Sequence, residues 1–208
     1  MLYEQGLFCL SFPILILIVV SGCTKFPGNS ARPSSSKPQS PYTMPAEAYL
    51  ALAKNQAAGE QQNMLLLAAG RYIEDARFHE AESILAQITF LSELQRDEKN
   101  ILLARINMAR ERFQATIVQL SAVHRVNQLP HYYQIEYHEM LAAAYEAVGN
   151  FSYAVHERIK LDHLLMGDAR QIVNYRKLWL SLTRLPTAEL NTIAIEEEAN
   201  SELEGWVK

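Results

Sequence analysis

The chain repeats itself, and the repeat limits what it can fold into. Leu65-Leu66-Leu67-Ala68-Ala69-Gly70-Arg71-Tyr72 leads to Ala76-Arg77-Phe78-His79-Glu80-Ala81, and Leu141-Ala142-Ala143-Ala144-Tyr145 leads to Gly149-Asn150-Phe151-Ser152-Tyr153-Ala154. A weaker copy lies between them, Leu102 to Asn107 followed by Glu111-Arg112-Phe113-Gln114-Ala115-Thr116. The aromatic marker recurs at Phe78, Phe113 and Phe151, spacings of 35 and 38, with a small residue three positions later at Ala81, Thr116 and Ala154. Each marker has a packing role. Small residues in the first helix of a pair (Ala69, Ala104, Ala142) and in the second (Ala81, Thr116, Ala154) let the two helices approach closely, and the aromatic fills the gap at their turn. Gly149 supplies the left-handed conformation that ends a helix. One such hairpin cannot bury its apolar face alone, whereas three or more stacked pairs form a continuous core.

Tetratricopeptide repeats have a period of 34 residues, so the expected fold is all-α, a TPR-like solenoid of helical hairpins. The third unit fits the pattern best. The second departs from it, with Asn107 where Tyr72 and Tyr145 stand in the others; such a position faces either a ligand or solvent. Pro45 suits the first turn of a helix, where its missing N–H costs nothing. Pro130 and Pro186 are the only later prolines, both placed for helix–helix connections. Asp168 to Leu185 reads as a helix carrying Ile172, Val173, Tyr175, Leu178, Trp179 and Leu182. A further helix starts at Pro186-Thr187, and this C-terminal segment does not repeat. Glu196-Glu197-Glu198 reads as a solvated face.

The N-terminal fifth has a different character. Leu7 to Val20 is a nearly unbroken apolar run, roughly 21 Å as a helix and short of the ~30 Å hydrocarbon core. That length suits a signal-peptide core, although Met1 to Gly6 holds no Lys or Arg and carries Glu4. Val20-Ser21-Gly22-Cys23 then resembles the bacterial lipobox, with Cys23 as the site of lipid attachment and Val20, Ser21 and Gly22 flanking the cut. By the sorting rule of such lipoproteins, Thr24 in place of Asp implies the outer membrane. Several acyl chains, at ~0.8 kcal/mol per buried CH2, make a stable anchor. From Thr24 to Met44 prolines and serines leave little to bury. The expected organisation is a signal peptide over 1–22, an acylated cysteine and disordered linker over 23–44, and a TPR-like helical domain over 45–208.

Whole classes of function are excluded by what the chain contains. A net charge of −4 and pI near 5.9 leave no surplus of positive charge for nucleic acid. Two cysteines, Cys9 and Cys23, allow no disulfide framework. No catalytic motif and no cofactor signature is present. His138-Glu139 and His156-Glu157 begin like HExxH, but Ala142 and Lys160 occupy the second histidine position. His131/His138 and His156/His163 are too far apart along a helix, about 10.5 Å, to share a metal ion. Tyr132, Tyr133, Tyr137 and Tyr145 read as repeat packing in preference to a binding platform. The chain reads as a non-enzyme with no metal site.

The closing segment carries a further resemblance. Leu178-Trp179-Leu180-Ser181-Leu182-Thr183, Pro186-Thr187-Ala188-Glu189-Leu190-Asn191-Thr192 and Leu203-Glu204-Gly205-Trp206 are similar to the N-terminal domain of the penicillin-binding protein activator LpoA family. That resemblance covers the chain from about residue 45 onward. It implies a lipid-anchored protein that faces the periplasm from the outer membrane of a Gram-negative bacterium. Such a protein reaches through the peptidoglycan, which is a further contact, and stimulates a class A penicillin-binding protein. Members of the family are much longer, with a second α/β domain that this sequence lacks, so the expectation is a truncated member that activates or scaffolds the synthase. The alternative is a generic TPR lipoprotein adaptor for envelope assembly, with a peptide ligand. An envelope hydrolase would need paired carboxylates in a cleft, which nothing in the sequence locates.

Overall fold

A computed structural model describes residues 41–89 and 91–199, and among these it is entirely helical. The signal-peptide and lipobox residues, including Val20, Ser21, Gly22 and Cys23, lie outside the described residues, as do most of the linker and Leu203 to Trp206. After α1 (Ala46–Ala53) come three antiparallel pairs: α2 (Ala58–Glu74) with α3 (Phe78–Gln87), α4 (Glu93–Ala109) with α5 (Phe113–Ser121), and α6 (His131–Ala147) with α7 (Phe151–Leu164). The first helix of every pair has 17 residues. Pro45 and Pro130 sit just outside α1 and α6. The start of α4 is fixed by a capping box, Ser92 Oγ accepting from the Gln95 N–H and Gln95 Oε1 from the Ser92 N–H.

All three pairs turn in the same way. Ala76, Glu111 and Gly149 each take a positive φ, +57°, +56° and +79°. The next residue's N–H returns to the carbonyl of Tyr72, Asn107 or Tyr145, at 2.8, 2.9 and 2.8 Å. This is the Schellman arrangement. It explains the tolerance for Asn107, which contributes its main-chain carbonyl to the turn and is half-buried. The 38-residue interval arises in the α5–α6 connection, which holds a 3-10 turn at Val126–Gln128. Asp97, buried on α4, fixes that connection by accepting from the His124 and Arg125 N–H groups at 3.2 and 2.9 Å.

Two further helices follow where the sequence does not repeat. α8 (Arg170–Leu182) packs along α7, and α9 (Thr187–Ala199) comes after it. The 13-residue α8 is held at its start by the Asp168 carboxylate, which accepts from the Arg170 N–H at 2.8 Å. Of the apolar residues expected to carry this helix, Leu178 is buried, but Ile172, Val173 and Trp179 are 61%, 50% and 66% exposed. The face turned inward presents Asn174, Leu178 and Ser181. Trp179 is therefore a surface residue.

The boundary of the linker also needs correction. Residues 41–44 belong to the domain. Tyr42 is only 3% exposed and joins the first core cluster, with Leu66, Ala69, Tyr72, Leu85, Leu102 and Ile106. The Tyr49 hydroxyl accepts from the Thr43 and Met44 N–H groups at 3.0 and 3.3 Å, folding this segment against α1. A second cluster joins α4, α5 and α6 around Ile101, Leu120 and Leu141, and a smaller one joins α7, α8 and α9 through Val155, Leu178 and Ile193.

Candidate functional site

The six small markers, Ala69, Ala81, Ala104, Thr116, Ala142 and Ala154, have no solvent exposure. Thr116 fits among alanines because its hydroxyl donates to the Arg112 carbonyl at 3.2 Å, leaving no buried donor unmade. Phe78 and Phe113 pack half-buried against the first and second clusters, and Phe151 is half-buried at the third turn. All nine are buried or half-buried. The polar chemistry lies elsewhere, on the face formed by the first helices of the pairs.

Tyr42 lies across that face. Its ring covers Gly70 of α2 so closely that a Cβ at Gly70 would lie 2.2 Å from ring carbons. Its hydroxyl is 2.9 Å from that of Tyr133 on α6 and accepts from Arg105 Nη1 of α4 at 3.2 Å. One side chain from the start of the domain thus touches the first helix of all three pairs. Arg105 continues the network with an ion pair to Glu136 Oε1 at 2.9 Å, at 13% and 17% side-chain exposure. Glu136 Oε2 is buried with no hydrogen-bond partner. Burial pushes the Glu136 carboxyl up to about 7; Arg105 opposes the rise, and Glu139 and Glu74 add to it. Burial also raises the Tyr132 hydroxyl to about 12 and Tyr133 further still.

Beside this network runs a groove of about 430 Å³, whose walls include Pro41, Asn63 and Leu67, Gln95 and Glu98, and Tyr132. Burial raises the Glu98 carboxyl above its ordinary range. Tyr133 is core and holds Tyr42, and both it and half-buried Tyr132 line the groove. Tyr145 stacks on Tyr153 with ring centroids 5.2 Å apart.

Two histidines make hydrogen bonds within the helical stack. His138 Nδ1 is 2.6 Å from Glu157 Oε2, joining α6 to α7, and Lys160 donates to Glu157 Oε1 at 2.9 Å. Burial alone would raise the Glu157 carboxyl, but these two partners outweigh it and hold it below the usual range. His156 Nδ1 donates to the Ser152 carbonyl at 2.8 Å. No group of three metal-binding side chains occurs among the described residues.

Sequence reasoning missed Tyr42, Arg105 and Glu136. Arg105 carried a signal in hindsight: it occupies the repeat position of Gly70, where a long cation replaces the smallest residue.

The comparisons agree with this architecture. A family model described as LppC putative lipoprotein matches residues 39–208. The penicillin-binding protein activator LpoA of Haemophilus influenzae is 27% identical over 196 residues, covering 94% of this chain and 33% of that protein. The Erwinia tasmaniensis protein of the same name is 24% identical, covering 93% and 28%. The chain thus spans about a third of the length of these relatives. Among solved structures, the LpoA N-terminal domain from Haemophilus influenzae superposes with a TM-score of 0.51 at 26% identity, over 73% of this chain and 69% of that one. The E. coli LpoA amino terminal domain gives 0.55 at 20% identity, over 72% and 66%, a likeness of fold. From residue 39 to its last residue, this chain belongs to the LppC putative lipoprotein family.

Proposed function

We propose that this chain is the helical part of an outer-membrane lipoprotein that activates or scaffolds a class A penicillin-binding protein in peptidoglycan synthesis. The observation that carries the reading is the match of the family model to the whole helical region, together with relatives named as penicillin-binding protein activators. On this reading Cys23 bears the lipid, the residues before Tyr42 are the tether, and the stacked pairs are a stiff spacer facing the periplasm. A solenoid suits that task because each pair contacts only its neighbours, so length is added without a new fold. The protein acts by contact and not by catalysis.

Two experiments test it. The full chain, tagged at its C-terminus, is used to capture proteins from solubilised membranes, and penicillin-binding proteins are revealed with a fluorescent penicillin. Retention of a class A enzyme is expected; retention of none would overturn the partner. Cys23→Ser should move the protein from the outer-membrane fraction to the soluble one. Unchanged fractionation would remove the anchor.

A further inference from the structure

One acid in the groove on the first-helix face has no counter-charge. Glu98 of α4 is half-buried on the wall and makes no hydrogen bond or ion pair among the described residues. No lysine, arginine or histidine among the described residues lines the groove with it. Burial raises its carboxyl above the ordinary range, and no positive group offsets the rise. The other polar groups there are largely committed. Ser92 and Gln95 cap α4, Gln95 Nε2 donates to Asn63 Oδ1 at 2.5 Å, and the Tyr133 hydroxyl is bonded to that of Tyr42. That leaves the Glu98 carboxylate on α4 and the Tyr132 hydroxyl on α6 as acceptors, among apolar walls of Pro41, Leu66, Leu67, Leu94 and Pro130. The neighbouring part of the face is acidic as well, since Glu139 and Glu74 both act on Glu136. A half-buried carboxylate without a partner is destabilising until a cation reaches it.

We propose that this groove binds a lysine-type side chain of a partner peptide, with its ammonium group at the Glu98 carboxylate and the Tyr132 hydroxyl and its aliphatic stem along Leu67 and Leu94. Charge complementarity selects a cation, because the groove holds one unanswered carboxylate and no positive group. A divalent metal ion would need several more oxygen ligands, and the side-chain oxygens of Ser92, Gln95 and Asn63 are already bonded to one another's helices. The two free acceptors stand on different helices. A compact ammonium with three rotatable donors can serve both, whereas a planar guanidinium is matched by a single carboxylate. The Tyr132 ring adds an aromatic face on which a cation is favoured. At about 430 Å³ the groove admits a side chain and not a folded element, and its walls come from α2, α4 and α6, so an extended peptide crossing the three helices is the form of partner that fits. Binding in this groove does not depend on what the domain activates.

The test follows the leucine methyl NMR signals of the full chain in non-ionic detergent. The probes are acetylated, amidated pentapeptides: Ala-Ala-Lys-Ala-Ala, its arginine counterpart, and its norleucine counterpart, which keeps the stem and lacks the ammonium. The lysine peptide is expected to move the Leu67 and Leu94 signals and to bind about tenfold more tightly than the norleucine peptide. Glu98→Gln, which keeps shape and removes charge, should make those two peptides bind alike. Tyr132→Phe, which keeps the ring, should weaken the lysine peptide about threefold. Signals remote from the groove, at Leu161 and Leu178, should not move in either variant, which separates loss of the head-group contact from loss of the fold. Equal binding of the lysine and norleucine peptides to the unaltered chain would overturn the proposal, as would unmoved Leu67 and Leu94 signals at about 10 mM peptide. Tighter binding of the arginine peptide would overturn the choice of ammonium. Signals that move with protein concentration alone would overturn the partner, placing a second copy in the groove.

Discussion

Arg158 on α7 grips the Glu146 carboxylate of α6 through two nitrogens, Nε at 2.8 Å and Nη2 at 3.0 Å, and is itself only 1% exposed. The pair reaches across to α8. Ser181 Oγ donates to Glu146 Oε1 at 3.0 Å; Asn174 accepts from Arg158 Nη1 at 3.3 Å and donates to the Arg158 carbonyl at 2.9 Å. The inward face of α8 is polar because it completes this network. α8 is thus joined to α6 and α7 by directional hydrogen bonds, and α7, α8 and α9 share the apolar contact of Val155, Leu178 and Ile193.

Removing the guanidinium should therefore loosen α8. Arg158→Met leaves the Asn174 side-chain carbonyl without its donor and the Glu146 carboxylate with that of Ser181 alone, and breaking a buried pair in this way costs about 3–5 kcal/mol. Urea unfolding followed by circular dichroism would read the loss, and hydrogen exchange should quicken first in α8 and α9. A loss below about 1 kcal/mol would mean that apolar contacts alone hold α8.

The three equivalent turns make a second prediction. Ala76 and Glu111 adopt the left-handed conformation that Gly149 adopts without a Cβ. A side chain there costs roughly 1–2 kcal/mol, partly offset because glycine loses more chain entropy on folding. Ala76→Gly and Glu111→Gly should each stabilise the domain by about 0.5–1 kcal/mol, and Gly149→Ala should destabilise it by a similar amount. Thermal unfolding of the three variants checks the signs; a destabilising glycine at either position would contradict the shared turn.

These elements differ in how visibly the sequence encodes them. The small markers recur at fixed intervals, as close helix packing demands, and Ala69, Ala81, Ala104, Thr116, Ala142 and Ala154 are all fully buried. The left-handed turns were legible only at Gly149, since Ala76 and Glu111 share its offset from the aromatic marker but not its chemistry. Tyr42 was hidden by its neighbours: a Pro/Ser-rich stretch reads as linker, and nothing local reveals a ring that docks on residues far along the chain. Arg158, Asn174 and Ser181 were hidden because polar residues are mostly exposed unless paired, and their partners are separated in sequence. Trp179 falls on the helix expected there, but its outward orientation was not legible, because which face of α8 turns inward is set by polar partners on other helices.

The buried carboxyl on the first-helix face should make stability depend on pH. The Glu136 carboxyl rises in the folded protein to about 7 from an ordinary 4.5, so the folded state holds a proton that the unfolded state has released. Its contribution is full below about pH 4.5 and is lost as pH rises through about 7, a change on the order of 3 kcal/mol. Glu136→Gln cannot titrate. Relative to that variant, the unaltered protein should lose stability between pH 4.5 and 7 and run parallel above it. Parallel curves across the whole range, in urea titrations at half-unit steps, would show that the side chain titrates normally.

Gly70 and Tyr42 give a prediction whose sign depends on the background. Gly70 lies within α2, where alanine is worth about 1 kcal/mol more than glycine on helix propensity alone. The new methyl would, however, lie 2.2 Å from the Tyr42 ring, and no rotamer of alanine relieves that overlap. Gly70→Ala should therefore displace Tyr42, break its hydroxyl contacts with Tyr133 and Arg105, and destabilise the domain by about 1–3 kcal/mol. With Tyr42→Ala already in place the obstruction is gone, and the same Gly70→Ala change should stabilise by up to about 1 kcal/mol. A double-mutant cycle by urea unfolding measures the reversal. Additive effects would mean that Tyr42 does not rest on Gly70 in solution. A reversal would establish that the start of the domain is seated across the first helices of all three repeats.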